Sequence, residues 1–114
     1  MDDMGGKKGG VMAIMVGRWE RRDSADREAF ANSALAYCQA MKARDGVKNS
    51  RFFWVSADQI VIQSEAESQQ VLDQAPDADM AKSVFALSDL ARAYDNERWM
   101  DPRDGQAVYR RAGR

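Results

Sequence analysis

The sequence predicts an α+β fold in which two long helices cover one face of a four-stranded antiparallel sheet, in the order strand, helix, strand, strand, helix, strand. Three observations predict it. An apolar, β-leaning run, "VMAIMVGRW" at 11–19, precedes a long amphipathic stretch. The segment "RFFWVSADQIVIQS" at 51–64 holds two strand-like runs separated by a short polar break. A second amphipathic stretch, beginning near Asp77 or Asp79, leads to the turn-forming "DPRDG" and a closing "QAVYRRA".

After the first strand, Asp23 or Ser24 is placed to cap a helix over about 24–44 by accepting a backbone N–H bond. Phe30, Ala34, Tyr37 and Met41 recur at helical spacing, Leu35 and Cys38 widen the stripe, and Gly46 is placed to terminate it. The next two strands, about 50–56 and 59–64, meet in a tight hairpin at Ala57-Asp58. With Ser56 opposite Gln59, Val55 faces Ile60 and Phe53 faces Ile62 on one side, while Trp54 faces Val61 and Phe52 faces Gln63 on the other. "SEAE" at 64–67 fits a capping box for a short helix over 65–74, ended by Pro76. Met80, Val84, Leu87, Ala91 and Tyr94, flanked by Phe85 and Leu90, extend the second long helix to Asn96, and "QAVYRRA" becomes the fourth strand.

A chain of 114 residues makes one domain, read as a flexible leader over 1–10 and a single folded unit over 11–114. The balance of 45% apolar and 31% charged residues is that of a globular protein, and no apolar run approaches the roughly 18 residues of a membrane span. The leader "MDDMGGKKGG" lacks the apolar core and cleavage pattern of a signal peptide, and the single Cys38 cannot form an internal disulfide, so a cytoplasmic location is expected. Seventeen basic residues against eighteen acidic ones, largely scattered, argue against nucleic-acid binding. The chain has no histidine, which removes the usual general base, the Ser-His-Asp triad, histidine zinc sites and histidine-ligated haem.

Both faces of the expected sheet carry apolar side chains, and the helices can cover one. An aromatic ring buries about 150–250 Å², so at about 25 cal/mol per Å² a ring left in water forfeits roughly 4–6 kcal/mol. A second copy packed sheet to sheet is the expected solution, because twofold homodimers are the commonest oligomers.

Over residues 11 to 111 this element order, with the "IVIQSEAES" step from strand to short helix and the amphipathic "AKSVFALSDLARAY", resembles the dimeric α/β-barrel superfamily, including antibiotic biosynthesis monooxygenase-like proteins. The resemblance implies a ferredoxin-like protomer, a barrel shared between two subunits and a ligand cavity between sheet and helices. It also implies a choice of activities: cofactor-free oxygenation of polycyclic aromatics, isomerisation, decarboxylation or haem degradation. The haem-degrading branch uses a helix histidine and a strand asparagine; this chain has no histidine and "VMAIMVGRW" has no asparagine. No cofactor is therefore expected.

Trp54, Tyr37 and Tyr94 are the candidates to line such a cavity, as stacking surfaces and phenolic donors; ordinary core packing is the competing reading. Arg18 and Arg51, near strand ends, are candidates to clamp a carboxylate or phenolate, against simple ion pairing with Glu20 or Asp23. Cys38, on or beside the buried stripe, reads as a small hydrophobe, and Glu65/Glu67 and Asp77/Asp79 lack the ligand ladder of a cation site, so no metal is expected. The functional expectation is a dimer binding an apolar or aromatic small molecule, acting as a cofactor-independent monooxygenase or isomerase; the alternative is a non-catalytic binding or interaction module. A cavity above roughly 300 Å³ joining Trp54 to Tyr37 or Tyr94 is the expected mark of the first.

Overall fold

The computed structural model describes residues 12–100 and 108–112. In chain order it contains β1 (Ala13–Arg21), α1 (Arg27–Lys42), β2 (Val47–Trp54), β3 (Gln59–Ala66), α2 (Gln69–Asp73), α3 (Ala78–Leu90), β4 (Ala91–Met100) and β5 (Val108–Ala112). The first four strands form the expected antiparallel sheet in the order β2-β3-β1-β4, the ferredoxin-like arrangement, and β5 adds a fifth strand beside β4. The leader over 1–10 and the "DPRDG" turn lie outside the described residues.

The core lies between the helices and one sheet face. Alternation along β3 buries Ile60, Ile62, Ser64 and Ala66, and α1 lays Phe30, Ala34, Tyr37, Cys38 and Met41 against them, joined by Met80 and Leu87 of α3. Ser50 and Ser64 are buried opposite one another and satisfy each other through an Oγ–Oγ hydrogen bond of 2.9 Å. Leu35, expected to widen the α1 stripe, is instead half exposed at 49%, and Phe85 of α3 is 70% exposed.

Three boundaries differ from the sequence reading. The α1 cap is Asp26, accepting from Ala29 N at 2.9 Å, because Arg21 holds the preceding turn through the Ala25 carbonyl at 2.6 Å. The α2 cap is Ser68, not Ser64. Ser64 belongs to a strand whose period of two continues through Ala66. The helix expected to reach Asn96 stops at Leu90, where Arg22 gathers the terminal carbonyls, its N–H on Leu90 O at 2.9 Å and its Nε on Ser88 O at 3.2 Å. Ala91–Met100 then pairs with β1 and takes the place of the fourth strand, which makes the closing segment the fifth.

The hairpin register is one residue away from the expected one: Trp54 pairs with Ile60, Phe53 with Val61 and Phe52 with Ile62. Val55 N and Ser56 N both donate to Gln59 O, at 2.9 and 3.3 Å, giving a longer connection than the two-residue turn. Arginines fix it from outside: Arg21 bonds the Asp58 carboxylate at 2.6 Å, and Arg27 Nε bonds the Ala57 carbonyl at 2.8 Å. This shift sorts the aromatics, sending Phe52 and Trp54 to the helix side with Ile60 and Ile62, and Phe53 and Val55 to the rear with Val61.

Candidate functional site

β1 and β4 run side by side, and Gly17 of β1 faces Asn96 of β4 in the ladder. With no side chain at Gly17, a cavity of about 50 Å³ remains between the sheet and Tyr37 of α1. Its walls include Met15, Trp19, Tyr37, Ile62 and Asn96, and the exposed Ala93 is also on its lining. A Cβ placed on Gly17 would stand 3.6 Å from Trp19 Nε1 and 3.9 Å from the Asp95 carbonyl oxygen, so the indole N–H and that carbonyl flank the space the glycine leaves.

Two polar groups define the electrostatics. Burial pushes the Tyr37 phenol above its usual pKa, helped by Cys38 and opposed by Arg44 and Arg98, so the hydroxyl stays protonated near neutral pH. Asn96 Oδ1 is buried and has no hydrogen-bond partner among the described residues. A buried acceptor in that state costs about 1–3 kcal/mol. Nearby on the same strand face, Arg98 binds Asp73 of α2 and leaves its buried Nε unsatisfied among the described residues.

The protonation of Tyr37 yields a prediction. A phenol whose folded-state pKa exceeds its ordinary value of 10.0 stabilises the fold fully below pH 10 and loses that contribution as pH rises through the folded value. Burial raises Cys38 from 9.0 in the same sense, so its loss begins about a unit earlier. Urea midpoints are expected to hold steady from pH 7 to about 9 and then fall. Tyr37→Phe is expected to flatten the portion above pH 10; equal alkaline slopes in both proteins would contradict this assignment.

Of the five candidate residues, only Tyr37 lines this cavity. Trp54 lies on the helix side of the β2 edge, edge-on to Phe30 at 5.7 Å and covered by the Arg27 guanidinium at 4.7 Å. Tyr94 is 48% exposed on an irregularity of β4, where the register passes from Arg18–Asp95 to Trp19–Ala93 and leaves it unmatched. Arg18 is on the rear face, its Nε 3.7 Å from Asp95. Arg51, with its guanidinium 5.1 Å from the centre of Phe53, borders an open groove of about 250 Å³ between β2 and α1 that also touches Leu35, Cys38 and Phe52. No cavity among those described joins Trp54 to Tyr37 or Tyr94.

Sequence reasoning missed Met15, Gly17, Trp19 and Asn96. Gly17 carried a usable signal, since a lone glycine inside an apolar strand marks a bulge or a close approach. Asn96 carried none, because the helical spacing ran through it. Among the described residues no group of three or more His, Cys, Asp or Glu side chains could hold a metal, and no helix is long and apolar enough to cross a membrane.

No protein-family model and no curated protein matches the sequence. The fold, however, is that of solved structures of antibiotic biosynthesis monooxygenase-like proteins. SnoaB, a cofactor-independent oxygenase from Streptomyces nogalater, superposes with a TM-score of 0.64 at 11% identity over 77% of this chain and 90% of its own. A candidate antibiotic biosynthesis monooxygenase from Nitrosomonas europaea gives 0.65 at 10% identity, covering 91% of this chain and 92% of that one. A conserved protein of unknown function from Bacteroides thetaiotaomicron gives 0.67 at 17% identity over 80% and 98%.

Proposed function

We propose that this chain is a homodimeric protein that binds an apolar or aromatic small molecule between its sheet and helices, in the manner of a cofactor-independent oxygenase. The cavity over Gly17 is the observation that carries the reading: its walls are largely apolar, and Tyr37, with its protonated phenol, and Asn96 are among the polar residues on its lining. SnoaB supplies the chemical analogy, since a cofactor-independent oxygenase stands on the same fold. The cavity's volume of about 50 Å³ is a third of the roughly 150 Å³ that admits a benzene ring. Entry therefore requires a wall to yield, and the half-buried, unbranched Met15 is the side chain suited to do so.

Self-association rests on the rear of the sheet. Phe53 and Val55 are 45% and 51% exposed there, and Ile14, Val16 and Val61 are half buried without a covering layer among the described residues. A second reading, a non-catalytic interaction module, draws on one observation: the cavity is well below the roughly 300 Å³ of an ordinary ligand pocket.

Native mass spectrometry of protein purified without denaturation separates the readings. Two subunits carrying a small-molecule adduct are expected. A dimer without adduct favours the interaction module, and a monomer across micromolar concentrations overturns the self-association. Val61→Glu, which puts a charge in the middle of the rear face, is expected to convert the dimer to monomers with the fold intact.

A further inference from the structure

β2 closes one side of the sheet, so half of its main-chain groups have no strand beside them to bond. The bond from Val55 N to Gln59 O sets the phase of the β2–β3 ladder. Counting back from it in steps of two, Phe53 and Arg51 bond β3, and Phe52 between them turns its N–H and C=O outward. Among the described residues no other element bonds these two groups. Phe52 is half-buried, and Arg51, Phe53 and Trp54 around it are exposed, so another chain can approach this edge. Beside it runs the groove of about 250 Å³ between β2 and α1, with Leu35, Cys38 and Phe52 as its apolar lining and Lys42 and Arg51 as its charges. Neither cation has a carboxylate partner among the described residues. From Leu35 to Lys42 the helix rises about 10 Å, the length of about three residues of extended chain. Phe30 meets Trp54 at the far end, so α1 runs back along β2 and Lys42 lies towards the start of the strand.

We infer that this edge is a docking site for an extended, acidic segment of another protein, which joins the sheet as a strand antiparallel to β2. A residue opposite Phe52 exchanges two main-chain bonds with it and points its side chain to the helix side, into the groove, where the lining favours an apolar group. The next residue lies opposite Arg51 and points to the rear of the sheet with it; the one after returns to the helix side, level with Ser50 and towards Lys42. Both of these positions favour a carboxylate. The recognised order is therefore apolar, acidic, acidic. Charge also selects against a second copy of this chain on the same edge. β2 carries Lys48 and Arg51 and no acidic residue, so two paired β2 strands would bring like charges together. The site makes no use of the Gly17 cavity and stands whether or not that cavity binds a ligand.

Three synthetic peptides with blocked ends test this on the unaltered protein: Thr-Thr-Val-Glu-Glu-Thr-Thr, the same peptide with both glutamates replaced by lysine, and the first peptide methylated on its valine nitrogen. Titrated at pH 7 into nitrogen-15-labelled protein, the first is expected to shift the Phe52 amide resonance and to slow its hydrogen exchange. The lysine peptide is expected to bind about tenfold or more weakly, because two attractions become two repulsions. The methylated peptide keeps the charges and loses the N–H that meets the Phe52 carbonyl, and is expected to weaken by about tenfold as well. The double variant Lys42→Glu, Arg51→Glu is expected to prefer the lysine peptide. Equal binding of the glutamate and lysine peptides overturns the inference, and so does methylation without effect, which would show attraction by charge alone. A Phe52 amide that stays in place at millimolar glutamate peptide overturns it too. A Phe52 amide already slow to exchange before any peptide is added means that a second copy occupies the edge, with the same consequence.

Discussion

Phe30→Ala is expected to destabilise the fold by about 3–5 kcal/mol, a large part of the roughly 5–15 kcal/mol that holds a domain together. Phe30 has no exposed surface and lies on the first turn of α1 against the sheet, with the Trp54 ring meeting it edge-on at 5.7 Å and 84°. Removing it deletes apolar contacts, leaves a cavity that the α1–sheet layer cannot close, and strips Trp54 of an aromatic neighbour. Trp54 is already 41% exposed, with Arg27 across its ring. Urea unfolding measures the loss, and the tryptophan emission of the folded variant is expected to move to longer wavelength as the Trp54 environment becomes wetter. A cost below about 1 kcal/mol would mean that Phe30 does not anchor the layer as its burial indicates.

The same residue shows what local sequence conveys and what it leaves out. Phe30, Ala34, Tyr37 and Met41 face inward because helical periodicity is a property of neighbours along the chain, so the buried face of α1 was legible. The element order was legible for the same reason, apart from the step at Leu90. There the apolar spacing runs on through Ala91 and Tyr94 with no glycine or proline to break it, and the stop is imposed by Arg22, nearly seventy positions away in the chain. The hairpin register was likewise decided elsewhere, by Arg21 and Arg27 holding Asp58 and Ala57. That single step moved Phe52 to the helix side and Phe53 to the rear. The candidate site suffered most from these distant decisions. Tyr37 could be read from its helix; Asn96 reaches the cavity only because the segment carrying it is a strand paired with Gly17.

Gly46→Ala is expected to cost about 2–4 kcal/mol, the second-largest effect of a single substitution proposed for this fold. Gly46 stands at the turn from α1 into β2 with φ of +89°, a conformation that side-chain-bearing residues adopt at a cost. A Cβ there would also approach Val71 Cγ2 to 2.8 Å and Cγ1 to 3.3 Å, so the valine must move. Val71 sits on α2, a five-residue helix with a single fully buried side chain, Leu72. The Gly46 carbonyl meanwhile accepts from Glu67 N at 2.8 Å, tying this turn to the segment that enters α2. Strain at one backbone position and displacement of one methyl group therefore act on the same short helix. The expected signature is a lowered urea midpoint together with faster amide exchange at Val71 and Leu72 than in the core of β3. Because Asp73 of α2 holds Arg98 beside the cavity, Gly46→Ala is also expected to loosen that anchor. Uniform loss of protection across β3 and α2 would show instead that α2 melts only with the whole sheet, and that the turn and the small helix form one cooperative unit with the core.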